Sequence, residues 1–297
     1  MCRLDMPRIV ASFIMLVIVC CGAGATKYPL TVKDSRGKTV VIPQEPRRIV
    51  SLAPSNTEIL FSLGLQSRVV GVTRFCNYPA EARKKPTVGD ANISVEKVIS
   101  LKPDLVMGHG TLNDSTVRAL ESHKVRIVTL DPKTIDQVVK DILMVGRITN
   151  KEQQASKIVK QLSSTQSLIK RKLRSIKNKP KVLVAVQANP LWVAGPGTFV
   201  DEMITIAGGT NIASSGKPGF TPFSSEVAVA KNPDVIIVMT KGDKEVFSKG
   251  VWKRTAAVRH AQVHEVNADL LVRPGPRLTD GMLMIARLLH PNVFNKR

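Results

Sequence analysis

The sequence predicts an α/β protein of two Rossmann-like lobes bridged by one long rigid helix. Three observations carry that prediction: strand–helix alternation on both sides of residue 150, a helical period over 151–177 that neither glycine nor proline interrupts, and one pattern of residues that occurs once in each half. The 297 residues suffice for two domains of ordinary size, and a 43% hydrophobic content excludes a disordered chain despite a formal net charge of +21. No apolar run reaches the ~20 residues that a membrane-spanning helix needs.

Residues 1–25 read as an export signal. Arg3 and Arg8 outnumber Asp5, Ile9 to Cys21 is a nearly unbroken apolar run, and Ala23-Gly24-Ala25 fits a small-x-small cleavage site. A lipid anchor on Cys20 or Cys21 is the alternative, although Val19 and Cys20 stand where a small residue normally precedes an acylated cysteine. After cleavage the chain keeps Cys76 alone and forms no internal disulfide. The expected location is therefore periplasmic or at the cell surface.

Residues 26–150 form the first lobe. It opens with a hairpin, because Leu30 to Ile42 alternates apolar and polar residues around Ser35-Arg36-Gly37-Lys38. Arg48 to Leu52 is a strand, followed by a helix that stops at Gly64. Ser55 and Glu58 have the spacing of a capping box, which gives Glu58 a local role at the helix start. Residues 151–179 are the connecting helix. Its apolar positions Ala155, Ile158, Val159, Leu162, Ile169, Leu173 and Ile176 keep helical spacing, and about 26 residues would span roughly 39 Å. Ten Lys and Arg over 151–181 face only Glu152, which is a solvated basic face; nucleic-acid binding would want interleaved aromatics or a known motif. Residues 180–297 are the second lobe, with a strand at Lys181 to Val186, a helix at Val200 to Ala207 and a left-handed stop at Gly208 and Gly209.

The repeat is clearest downstream in each lobe. Ser94-Val95-Glu96 starts a helix that leads to Pro103-Asp104 and a strand, and Ser224-Ser225-Glu226 leads in the same way to Pro233-Asp234. Serine suits the N-cap, and an acid in the first turn suits the helix dipole. Each copy runs on to another strand followed by an acid, Asp131 and Asp269.

In open α/β sheets ligands bind beyond the carboxyl ends of the strands. Those ends carry Phe75, Tyr78, His109, Trp192, Phe220, Phe223, Asp269 and Arg273, including five of only 12 aromatics in the chain. Two aromatic rims with a few polar groups suit a large, flat, partly apolar ligand, while Phe75 or Phe223 could instead plug its own loop. His109 lies between two glycines and reads as a pocket wall or, less simply, as a metal ligand. The histidines show no H-x-x-x-H or H-E-x-x-H spacing, and there is no G-x-S-x-G, P-loop or G-x-G-x-x-G. An enzyme is thus disfavoured; its remaining form is a secreted hydrolase using His109 and Asp269.

Arg48 to Ser55 with Thr57-Glu58, followed by Val70-Gly71-Val72-Thr73, resembles the periplasmic binding proteins of cobalamin and iron-siderophore ABC importers. Cys76-Asn77-Tyr78-Pro79, Glu96 with Lys102 to Val106, and Gly275-Pro276-Arg277 resemble the cobalamin-binding branch. The resemblance covers the whole chain after the signal. It implies a rigid class III two-lobed binder, expected as a monomer without cofactor, that delivers cobalamin or another corrinoid to a permease and ATPase complex. It places the ligand among Phe75, His109, Trp192, Phe220, Asp269 and Leu270, and the permease contacts at Glu96 and Glu226. A ferric siderophore or haem is the alternative cargo, met through Arg273 and Arg277 as bidentate partners of carboxylates.

Overall fold

The computed structural model describes residues 26–294. The expected export signal, with Cys20 and Cys21, lies outside the described residues. The hairpin is β1 (Leu30–Lys33) paired antiparallel with β2 (Thr39–Ile42). The first lobe continues with β3 (Ile49–Ser51), α1 (Pro54–Ser62), β4 (Val69–Val72), α2 (Val95–Ser100), β5 (Leu105–His109), α3 (Asp114–Ser122), β6 (Ile127–Leu130) and α4 (Ile135–Ile148). Helix α5 (Glu152–Lys172) leads to the second lobe. That lobe contains β7 (Lys181–Gln187), β8 (Trp192–Ala194), α6 (Phe199–Ile206), β9 (Thr210–Asn211), β10 (Phe220–Pro222), α7 (Ser225–Ala230), β11 (Val235–Val238), α8 (Lys244–Phe247), α9 (Ala256–Arg259), β12 (Val263–Glu265), α10 (Asp269–Val272), α11 (Leu278–Leu289) and α12 (Pro291–Phe294).

The first-lobe sheet has the order β4-β3-β5-β6 and is parallel throughout. The second has the order β10-β8-β7-β11-β12 with β9 beside β7. It is parallel at its centre and antiparallel at β8 and β10. Parallel strands bury both faces, so β11 and most of β5 and β7 are continuous apolar runs, and β6 is buried throughout with Thr129 its one polar residue. The antiparallel edge was not expected, since the sequence around Trp192 and Phe220 reads as loop.

Helix α5 is 21 residues long, shorter than its apolar period implies. Leu173 is its C-cap and Ile176 falls in the turn beyond, its N–H donating to the Leu173 carbonyl at 3.0 Å. Ala155, Leu162 and Ile169 recur every seven residues and form one buried seam. That seam packs against α4 of the first lobe and α11 of the second. Burying the Leu and Ile side chains stabilises the joint by about 1.5–3 kcal/mol each. The result is a single apolar cluster running from Leu30 through α4, α5 and α6 to Leu289, so the two lobes share one core. The outer face of each sheet has its own smaller cluster, around Val106 and Leu120 in the first lobe and around Ile236 and Phe247 in the second.

Candidate functional site

A cleft of about 330 Å³ opens between the lobes at the strand ends. The first lobe lines it with His109 at the end of β5, Thr111 and Leu112 after it, and Asp131 to Lys133 after β6. The second lobe contributes Gly197 to Phe199 at the start of α6, Gly219 and Phe220 at β10, and Val272 and Pro274 at and beyond the end of α10.

His109 is the last residue of β5, not a loop residue, and pairs with Leu130. The hairpin braces this corner from behind. Ser35 N–H donates to the Thr129 carbonyl at 3.0 Å, and Asp34 accepts from the Thr129 hydroxyl at 2.8 Å. The backbone N–H groups of Thr111 and Leu112 both point at His109 Nδ1, each at 3.4 Å, which leaves the ring proton on Nε2. Nε2 faces Asp131 Oδ1 at 3.6 Å, while Asp131 also accepts from Thr111 and from Lys133 Nζ at 2.5 Å. Burial pushes the imidazole below its usual pKa; Asp131 opposes that push and Lys133 adds to it. His109 is therefore a neutral wall residue with both nitrogens turned to the protein. The pairing a hydrolase would need is not formed, because Asp269 is held by Arg273 at 2.9 Å.

Phe220 forms the opposite wall and meets the Phe199 ring edge-on at 6.4 Å between centroids. Phe220 pairs with Ala194 and Pro222 with Trp192, so Phe220 and Trp192 stand on the same face of the antiparallel edge. Trp192 is outside the cleft lining and 37% exposed, which leaves its ring free to extend the wall. Phe75 (52%) and Tyr78 (46%) are exposed on the facing lobe, so neither plugs its loop. Phe223 does, packing on the outer core of its own sheet.

Arg273 and Arg277 belong to an ion network that crosses between the lobes. Glu58 on α1, 1% exposed, accepts from Arg277 through Nε at 2.8 Å and Nη2 at 2.6 Å, and from Arg273 Nη1 at 3.0 Å. Arg273 also donates to Asn77 Oδ1 at 2.8 Å and to the Phe75 carbonyl at 3.4 Å, and the Arg277 guanidinium lies 4.0 Å from the Tyr78 ring centroid. This corrects the capping-box reading of Ser55 and Glu58. Ala53 is the N-cap with Pro54 at the first helical position, and Glu58 turns away to partners some 215 residues distant. No local pattern announces such a partner. Leu270, half-buried, sets its carbonyl tightly against Gly281 of α11 and so ties α10 to its own lobe.

The two repeat copies match closely. Ser94 and Ser224 are N-caps that accept from Lys97 N–H at 3.2 Å and Val227 N–H at 3.1 Å. Each hydroxyl also donates to its glutamate, at 2.9 Å to Glu96 and 2.6 Å to Glu226. Hydrogen bonds to the backbone and the serine hold both carboxyls below their usual pKa, so both exposed side chains are ionised. After each helix a residue in the left-handed region, Lys102 or Asn232, precedes the Pro-Asp pair. The aspartate closes on the start of the preceding strand, Asp104 accepting from Arg48 N–H at 3.0 Å and Asp234 from Lys181 N–H at 2.8 Å.

Residues 49–270 match the family described as periplasmic binding protein. The Bacillus subtilis ABC transporter substrate-binding lipoprotein YvrC, itself uncharacterized, is 36% identical over 278 residues, covering 91% of this chain and 88% of the relative. A cobalamin-binding protein of Halobacterium salinarum is 29% identical, covering 90% of this chain and 75% of its own. Among solved structures, the periplasmic heme-binding protein RhuT from Roseiflexus superposes with a TM-score of 0.75 at 29% identity, covering 83% of this chain and 99% of RhuT.

Proposed function

This chain belongs to the periplasmic binding protein family, the substrate-binding components of ABC importers, and from that premise we propose that its cleft receives cobalamin or a related corrinoid for delivery to a permease. The observation that carries this reading is the state of the cations around the cleft. Arg273 and Arg277, which the propionates of haem or the carboxylates of a siderophore would need, are already engaged by Glu58 and Asp269. Lys133, the lining cation, is paired with Asp131. What remains on offer is aromatic and aliphatic surface with backbone and hydroxyl groups, which suits the apolar face and neutral amide rim of a corrin. We assign ligand contact to Phe75 and His109 from the first lobe and to Trp192 and Phe220 from the second. Asp269, Leu270 and Arg273, also expected from the sequence as ligand contacts, lie outside the cleft lining, and we assign them instead to holding the second-lobe wall in place. Glu96 and Glu226 are assigned to the permease. The likeness to the cobalamin-binding protein of Halobacterium salinarum supports the reading, and the likeness to RhuT keeps haem as the competing cargo.

The test is isothermal titration of the purified protein with cyanocobalamin, cobinamide, haem and a ferric hydroxamate. A one-to-one corrinoid isotherm is expected. Saturable binding of haem or the hydroxamate without corrinoid heat would overturn the assignment.

A further inference from the structure

Val272 and Pro274 line the second-lobe side of the cleft, yet the segment that carries them is fastened to the first lobe. Arg273 stands between them and Arg277 follows three residues after Pro274, and both end on Glu58. Gly275 between the two arginines packs against α1 at ordinary contact distance, a Cβ there lying 3.7 Å from the Ser55 carbonyl oxygen and 3.9 Å from Ile59. The arginines also reach the Phe75–Tyr78 loop, through the Phe75 carbonyl, Asn77 and the Tyr78 ring. One buried carboxylate thus joins a first-lobe helix, a first-lobe rim and a second-lobe strap.

Such a junction is stiff. A side-on Arg–carboxylate pair fixes both distance and angle, and removal from water strengthens it. Removing one partner leaves a buried charge uncompensated, which is far more costly than the intact pair is stabilising. A second polar contact crosses the lobes where Glu202 on α6 accepts from the Ile135 N–H at the start of α4 at 2.7 Å. That bond is to a single backbone group and fixes no side-chain angle.

We propose that Glu58 is a positioning residue of the ligand cleft: by holding Arg273 and Arg277 it latches the second-lobe strap to the first lobe and sets the cleft width through which ligand enters and leaves. The proposal rests on the reading of the chain as a binding protein, though its central measurement needs no ligand. A space of about 330 Å³ is smaller than a whole corrinoid. A ligand of that size must therefore project from the cleft or sit between lobes set further apart, and the latch opposes the second arrangement.

The experiment uses the full chain with Cys2, Cys20 and Cys21 changed to Ser, since Cys76 is buried and escapes labelling. Spin labels at Ser122→Cys and Ser248→Cys, both exposed and one on each lobe, report lobe separation by pulsed dipolar spectroscopy. Wild type is expected to give one narrow distance. Glu58→Gln, and Arg277→Lys, which keeps the charge but loses the side-on pair, are expected to broaden it towards longer distances. Cyanocobalamin release should accelerate at least about tenfold in both variants. If Glu58→Gln does not fold, Arg277→Lys carries the test alone. A lower melting temperature with an unchanged distance distribution would make the network mere fold glue and overturn the latch. Failure of wild type to bind cyanocobalamin would overturn the cargo assignment and leave the distances to decide the latch.

Discussion

Asp141 sits on α4 with Oδ2 buried and without a hydrogen-bond partner among the described residues. Burial, with a smaller push from the charge of Asp131, raises its carboxyl pKa to about 7. The folded state therefore holds a proton that the unfolded chain gives up near pH 4. The stability this confers is complete below the unfolded pKa and is lost as pH rises towards about 7. Asp141→Asn removes the penalty: it should stabilise the protein by about 1–3 kcal/mol at pH 8 and by almost nothing below pH 4, as measured by urea denaturation across that range. Equal gains at both ends would sink the account. On the cleft wall, Phe220→Ala should weaken corrinoid binding by about 1–3 kcal/mol, read by the same titration that tests the cargo. Single residues were legible in the sequence only where their partners are local. Ser94 and Ser224 could be named as caps because the bonds they make close within three residues. Glu58 was misread because its partners come from the far end of the chain and Ala53-Pro54 had already started the helix.

Helices α4 and α5 cross where Gly146 meets Ala155: a Cβ at Gly146 would lie 2.5 Å from that of Ala155 and 3.2 Å from the Lys151 carbonyl oxygen. The obstacle is a neighbouring helix and its backbone, not the tip of a flexible side chain. Gly146→Val should therefore force the pair apart and destabilise the fold by about 1–3 kcal/mol, a loss visible as a lower denaturation midpoint. An unchanged midpoint would mean that the crossing can relax. At this scale the sequence is most informative about helices with an apolar face. The period of α5 was plain, and its end was not, because Leu173 and Ile176 keep the apolar spacing beyond Lys172, its last helical residue. Strands β8 and β10 escaped notice for a different reason. Each has three residues, too few for alternation to show, and they exist because β10 pairs with β8 and β8 with β7.

One core joins the two lobes through α5, and that continuity gives meaning to the matched glutamates. In two domains free to turn, Glu96 and Glu226 would have no fixed separation; on a shared core they form a pair of charges at a set span. Each is ionised and exposed, and each sits in the same local frame of capping serine, left-handed residue and Pro-Asp strand entry. Ordinary helix capping accounts for either acid alone, because acids suit a first turn. It does not require that both point their charge outward from equivalent places on a rigid body, whereas a two-part permease with a basic socket on each half would. Neither glutamate lines the cleft, so reversing their charge should leave the corrinoid isotherm unchanged. In the Glu96→Arg/Glu226→Arg double variant each socket would face a like charge, and uptake through the reconstituted importer should fall at least about tenfold. Each single reversal should lose less than the pair, since one contact would still guide docking. Normal uptake by the double variant would remove the glutamates from the docking surface. Lost ligand binding would instead assign them to the cleft or the fold.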